Sequence, residues 1–214
     1  MCAVITLGVI MSSDGGSRRG YHHGNLRDVL LDLAETALEA RGQENLSLRE
    51  LASAAQVAPS APYRHFASRD DLLEALAKAG FERLLVRYQD AASAADPVPA
   101  VCEAYLSFSR AHPNLFKLMF VSDAISHGAG SPAMQVGLQS FAVFEDVLRG
   151  GMPGSSAEDV RLRALTVWAA LHGAALLTNE GRLAPLMFDG LSDEALFQSV
   201  IDLNATMTPS IAQS

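Results

Sequence analysis

At four expected helix starts a small polar residue is followed three positions later by an acid: Asn25 with Asp28, Ser47 with Glu50, Ser68 with Asp71, and Ser155 with Glu158. The first residue of such a pair accepts a hydrogen bond from an orphan N–H at a helix start, and the acid answers the cap's own N–H. Ser131-Pro132 and Asp96-Pro97 add the form in which proline opens the first turn. Between these starts the apolar residues recur at helical spacing, and no stretch alternates with the two-residue period of a half-buried strand. The pattern predicts an all-α chain.

Leu26, Leu30, Leu33, Ala34 and Ala37 share one face of a first helix that Arg41-Gly42 brings to a stop. A short second helix follows from Ser47 to about Ala55, and a long one runs from Ser68 toward Asp90 through Leu72, Leu73, Leu76, Phe81, Leu84 and Leu85. Later helices are expected over Pro99–His112, Pro113–Val121, Pro132–Arg149, Ser155–Asn179 and Ser192–Met207. Between the second and third lies QVAPSAPYRHF, residues 56–66, with two prolines in four positions. Proline is harmless in a first helical turn, where its missing N–H would have no partner. The stretch therefore predicts a short helix starting near Ala58 or Ser60, with Ser60, Ala61, Tyr63, Arg64 and His65 facing outward. Two short helices joined by a tight turn, the second polar, aromatic and basic, form a helix-turn-helix suited to the major groove.

These residues resemble a known family. SLRELASAAQVAPSAPYRHFASRDDLLEAL is similar to the DNA-binding region of the tetracycline-repressor (TetR) family, over roughly residues 24–80. Val57, Tyr63, His65, Phe66, Ser68, Arg69, Asp71 and Leu72 fit its pattern. Gln56, Ala58, Ser60 and Pro62 depart from it, standing where glycine, serine, glycine and leucine are common. The resemblance implies a helix-turn-helix domain over 21–80; residues 1–20 before it are expected to be a flexible leader, or an over-extended start with Met11 as the initiator. A long helix then joins it to a helical-bundle domain over 81–214 for ligand binding and dimerisation. It also implies a transcriptional regulator, usually a repressor, released from its operator by a small molecule. Tyr63 and Arg69 are the expected phosphate contacts, which position without reading sequence. Pro59, Ser60, Ala61 and Arg64 are the expected base-edge contacts, with Arg64 the most selective. Ser47 and His65 complete the DNA-facing set, and SRRGYHHGN, residues 17–25, could reach the backbone or minor groove as a basic arm.

Charge divides the chain in a compatible way. Residues 1–69 hold seven Arg and seven acids, whereas residues 70–214 hold nine Lys plus Arg against seventeen acids, so the net charge of −8 lies in the second part. That part carries Phe108, Phe116, Met119, Phe120, Met134, Phe141, Phe144 and Trp168, enough large side chains to line an apolar effector cavity. VWAALHGAALL, residues 167–177, also resembles a C-terminal domain type of the family marked by Trp168, His172 and Gly173. Its small residues allow close helix approach, so the last two long helices are the expected homodimer face. The effector-site set is Phe108, Phe116, Met119, Phe120, Met134, Phe141, Trp168 and His172. A helical enzyme or carrier for an apolar small molecule is the competing reading, but no nucleophile–base motif accompanies it.

Other classes are disfavoured. No apolar run reaches the roughly 18 residues that a spanning helix needs, so no membrane partner is expected. MCAVITLGVIM at the start lacks the positive flank and cleavage site of a secretory signal. Cys2 and Cys102 show no zinc or redox spacing, which points to a reduced, cytoplasmic setting. No metal or cofactor is expected. His22-His23 lacks further ligands, and GAGSPA, residues 128–133, matches a loose dinucleotide fingerprint but follows no strand.

Overall fold

The computed structural model describes residues 26–122, 130–183 and 192–206. The leader, the basic arm at 17–25, the Asn25 cap and the first two residues of the 128–133 stretch lie outside the described residues. Eight α-helices and two 3-10 turns, with no strand, make up the described part. They are α1 (Leu26–Arg41), α2 (Leu48–Ala54), α3 (Arg69–Ala92), α4 (Pro97–Ala111), α5 (Pro113–Val121), α6 (Pro132–Gly150), α7 (Ala157–Asn179) and α8 (Asp193–Thr206). The 3-10 turns, Gln43–Asn45 and Pro62–Arg64, flank α2.

Not every expected cap forms. Ser68 accepts from the Asp71 N–H and Ser131 from the Met134 N–H, as the spacing predicts. Ser47 precedes α2 but makes no side-chain bond, and Glu50 instead pairs with Arg41 at 3.3 Å. Ser156 with Asp159, one residue beyond the expected pair, closes a full capping box on α7. That register buries Val160, Ala164, Val167 and Leu171 on one face.

The helix α3 is the axis of the molecule. Leu72, Leu73, Leu76, Ala77, Gly80, Phe81, Leu84 and Tyr88 are all buried, a stripe wide enough to meet several neighbours. It packs most extensively on α6 and then on α4 and α5. At Gly80 a side chain would meet the Met119 sulfur of α5 at 2.5 Å, and at Gly137 of α6 it would meet the Phe81 ring at 3.1 Å. One apolar core runs without a break from Leu30 to Ile201. The helix α7 is long and apolar enough by composition to cross a membrane. Its buried face packs on α4, α6 and α8 as part of the bundle core.

The turn after α2 is a Schellman ending, with Val57 N–H donating to Ala52 O at 3.0 Å and Gln56 N–H to Ser53 O at 3.1 Å. It places Gln56 at φ 56°, the one non-glycine residue with positive φ among those described. Gly181 serves the same position after α7 without that strain. Replacing Gln56 by Gly is expected to raise unfolding stability by about 0.5 to 1 kcal/mol, the left-handed penalty less the entropy of glycine. Gln56→Val should lower it. Urea unfolding with an unchanged m-value measures both.

Candidate functional site

The proline-bearing segment begins after the α2 turn. Its backbone bonds run from Ala61 N–H to Ala58 O at 2.9 Å, from Arg64 to Ala61 at 3.2 Å and from His65 to Pro62 at 2.9 Å. These three are three-residue steps, and the Phe66 N–H closes the segment with a four-residue step to Pro62 O at 3.0 Å. Pro59 and Pro62 supply no N–H for the four-residue ladder, so the expected short helix is a single 3-10 turn, Pro62–Arg64. Pro62 and Phe66 are buried and anchor the turn, with the Arg27 guanidinium 5.4 Å above the Phe66 ring. Pro62 thus takes over the burial that leucine commonly provides. Pro59, Ser60, Tyr63, Arg64 and His65 are exposed, Tyr63 at 53%, and Ala61 is half-buried.

Arg69 behaves differently from the expectation of a phosphate contact. Its guanidinium is turned inward, donating to Gln43 O at 2.6 Å and Leu46 O at 3.2 Å. The Gln43 carbonyl also accepts the Leu46 N–H that closes the 3-10 turn at 3.1 Å, Leu46 itself ends that turn, and the cation pins α3 to the stretch of backbone entering α2. Arg49, not singled out from sequence, is exposed on α2 with no ion pair among the described residues. Its signal was its place one residue into the first helix of the pair. Ser47 is half-buried at the start of the same helix.

Behind this face, two carboxylates tie α1 to the bundle. Glu35 grips Arg83 of α3 through two bonds of 2.8 and 2.9 Å. Glu39 accepts from the Asn114 N–H at 3.1 Å and the Leu115 N–H at 2.9 Å, while Asn114 donates its amide back to Glu39 O at 2.9 Å. A side chain of α1 therefore caps α5, satisfying orphan donors at the positive end of its dipole. His112, which ends α4 and begins α5, lies 3.6 Å from Glu35. Its pKa is lowered by burial first and by Arg83 next, with Glu35 and Glu39 opposing. An open groove of about 580 Å³ between α1 and α3 is rimmed by the carboxylates of Asp28, Asp32, Glu35 and Glu82 and lies outside the aromatic core.

Five of the eight expected effector residues meet in one ring cluster. Phe116 and Phe120 of α5 lie 5.0 Å apart, and Phe120 faces His172 at 5.2 Å and Trp168 at 6.2 Å. Trp168 stacks on His172 at 5.1 Å and meets Phe141 edge-on at 6.3 Å. Phe120, Phe141, Trp168 and His172 are half-buried, whereas Phe116 is fully buried. The other three are placed elsewhere. Phe108 packs on His112 and under Arg87, Met119 fills the space over Gly80, and Met134 sits in the first turn of α6. Phe108 is thereby turned toward α3, which α4 meets along its length. Tyr105, which sequence reasoning missed, enters the cluster instead, its hydroxyl 2.7 Å from His172 Nδ1. Nothing in a mostly apolar helix distinguished that tyrosine from ordinary core.

The opposite face of α7 is apolar yet uncovered. Leu162, Leu165, Ala169, Ala170 and Leu177 are exposed, Leu162 at 64%. Gly173 lies on the same stripe, and a side chain there would meet nothing within 4 Å.

The residues just described match family models. Residues 30–76 match the model described as bacterial regulatory proteins, tetR family, and residues 98–203 match the tetracyclin repressor-like C-terminal domain. A solved protein of unknown function from Rhodococcus sp. RHA1 is 34% identical, with TM-score 0.72, covering 87% of this chain and 97% of its own. The TetR family transcriptional regulator PfmR from Thermus thermophilus is similar in fold, at TM-score 0.59 and 19% identity, covering 82% of this chain and 96% of its own. So is the transcriptional regulator FadR from Bacillus subtilis in complex with stearoyl-CoA, at 0.66 and 17%, covering 84% and 98%. No curated protein matches the chain.

The histidines make a pH prediction. Burial lowers the pKa of His172, as it does that of His112, so both are neutral in the fold. Below their unfolded value of about 6.5 the unfolded chain takes up protons that the folded chain refuses. Stability contributed by the neutral rings is present above that pH and is lost as pH falls toward the lower folded values. From about pH 7.5 to about pH 5.5 the melting temperature should therefore fall more in the native protein than in His112→Gln/His172→Gln. An equal fall in both would show that neither ring is held neutral.

Proposed function

Because the chain belongs to the tetracycline-repressor family of DNA-binding transcriptional regulators, we propose that it is a repressor, not an enzyme. It holds its operator as a homodimer in the cytoplasm and releases it when an apolar or aromatic effector enters the ring cluster of α5, α6 and α7. The observation that carries this reading is the position of α5. Its first turn is capped by Glu39 of the DNA-binding unit, and its later turns supply Phe116 and Phe120 to the ring cluster. A molecule that parts those rings moves the helix to which α1 is tied. The long acyl chain of the ligand bound to the B. subtilis FadR is of the apolar class that such rings accept. A carrier without DNA binding leaves the exposed reading turn unexplained.

Release requires that the effector prefer the conformation in which the two reading turns are wrongly spaced. A hundredfold loss of operator affinity needs a preference of about 2.7 kcal/mol. In the bound state Tyr63 and Arg49 contact phosphates, Pro59, Ser60, Ala61 and Arg64 face base edges, and Ser47 and His65 lie at the margin. Arg69 acts at one remove, by holding the backbone before α2. The uncovered stripe of α7, with Ala169 and Ala170 at its centre, pairs with the same stripe of a second copy, alongside α8, and spaces the turns for a two-fold operator.

Fluorescence anisotropy with DNA from beside the protein's own gene tests these assignments. Arg64→Ala is expected to relax discrimination at one base pair, at about 1 to 3 kcal/mol. Arg49→Ala should weaken all sequences alike and flatten the logarithmic salt dependence by about one. Arg69→Ala should instead lower the melting temperature. A loss of salt slope with unchanged stability would return Arg69 to the phosphate contacts. For the pairing, Ala169→Arg should yield a folded monomer by light scattering that binds a half-site no better than random DNA. A dimer that survives this charge on its central stripe would place the interface elsewhere.

A further inference from the structure

Tyr105 and His172 form a polar pair inside an otherwise apolar ring cluster, and the proton between them can be assigned. The Tyr105 hydroxyl is fully buried, 2.7 Å from His172 Nδ1, with the Trp168 indole as a second polar influence on the same group. Burial pushes the Tyr105 pKa well up, so the hydroxyl keeps its proton. If Nδ1 also carried a proton, it would donate to the tyrosine oxygen and leave the buried O–H without an acceptor. An unmade bond of that kind costs about 1 to 3 kcal/mol. The arrangement that satisfies both groups has Tyr105 donating to an unprotonated Nδ1, which leaves the imidazole proton on Nε2. The Nε2 side has no hydrogen-bond partner among the described residues, and the half-buried ring stacks on half-buried Trp168. A fixed donor thus stands at the margin of a stacking surface.

We propose that Tyr105 orients His172 to recognise the effector, Nε2–H donating to a carbonyl oxygen of a planar, uncharged aromatic ligand that stacks against Trp168. This deepens the effector reading of the same ring cluster and rests on it. A ligand lacking the acceptor would leave the donor unpaired as water is displaced, and such sites discriminate strongly against the deficient analogue. A cation would face a donor with no charge to answer it. Tyr105 never touches the ligand. Its part is to hold one tautomer.

Two shape-matched probes read this directly: 2-acetylnaphthalene, which carries the carbonyl, and 2-ethylnaphthalene, which does not. Trp168 is the only tryptophan, so its fluorescence reports both. The acetyl compound should bind at least about tenfold more tightly. The preference should fall to within about threefold in His172→Phe and in Tyr105→Phe, which keep the aromatic volume. Nitrogen-15 NMR of histidine-labelled native protein, without any probe, should show Nδ1 as the unprotonated nitrogen of His172. This arm holds even if Tyr105→Phe does not fold. Equal binding of the two probes, a preference that survives His172→Phe, or a proton on Nδ1 would overturn the proposal and leave the effector reading standing. If neither probe alters Trp168 fluorescence, both fall together.

Discussion

Two missing side chains decide where α3 can lie. At Gly80 the helix meets Leu115 and Met119 of α5, and at Gly137 the helix α6 receives the Phe81 ring, each at a separation that a Cβ would close below ordinary contact. Gly80 and Phe81 are consecutive, so α3 is wedged between α5 and α6 at a single level, with little freedom to slide against either. The starts of both neighbours are then held by carboxylates from earlier in the chain. Glu74 of α3 accepts from Ser131 Oγ and from the Ala133 N–H, the latter at 3.0 Å, and Glu39 of α1 does the same service for α5. Charge-assisted bonds to helix-start N–H groups are among the stronger polar contacts a fold can make. The bundle is thereby referenced to the DNA-binding unit at the N-terminus of α5, and to α3 at the N-terminus of α6.

That geometry gives the ring cluster a mechanical meaning. The helix α5 has only nine residues, so its capped start and its ring-bearing turns are a short rigid lever. A shift at Phe116 or Phe120 cannot be absorbed by bending along such a length and must appear at Asn114 and Leu115, where Glu39 holds on. The Glu35–Arg83 pair ties α1 to α3 a turn away, so α1 is held by two elements that an effector would move unequally. On the proposed reading, the energy available for switching is the effector's own difference in affinity for the two arrangements, and the carboxylate contacts are the path through which it would be transmitted.

The helices were legible because capping residues and apolar spacing are local. Pro113–Val121 and the Arg41-Gly42 stop could be read directly for that reason. The reading failed where a polar group is answered from far along the chain. Ser47 carries the right spacing yet forms no cap, whereas α5 has no side-chain cap of its own and takes Glu39 from 75 residues earlier. Arg69 looked like a free cation because its acceptors, the carbonyls of Gln43 and Leu46, are backbone atoms that every residue possesses. Of the expected effector residues, Phe116, Phe120, Phe141, Trp168 and His172 come together, while Phe108 does not, since which face of α4 meets α7 depends on packing angle and not on composition. Tyr105 was invisible for the opposite reason: its significance lies in one hydroxyl whose partner is 67 residues away.

Charge acts on a longer scale than any of these contacts. Residues 70–214 carry nine basic and seventeen acidic side chains, while residues 1–69 are balanced. A helix of 24 residues rises about 36 Å, so most of the bundle's acidity stands well beyond the reading turn. The screening length at physiological salt is about 8 Å, so that acidity contributes little once the turn is seated on DNA. Its effect is on approach. A net acidic body is repelled by the phosphate backbone, which favours approach by the balanced end. On the proposed assignment, orientation before contact is thus set by where the chain is acidic, and sequence reading after contact by a proline-anchored turn that needs few charges.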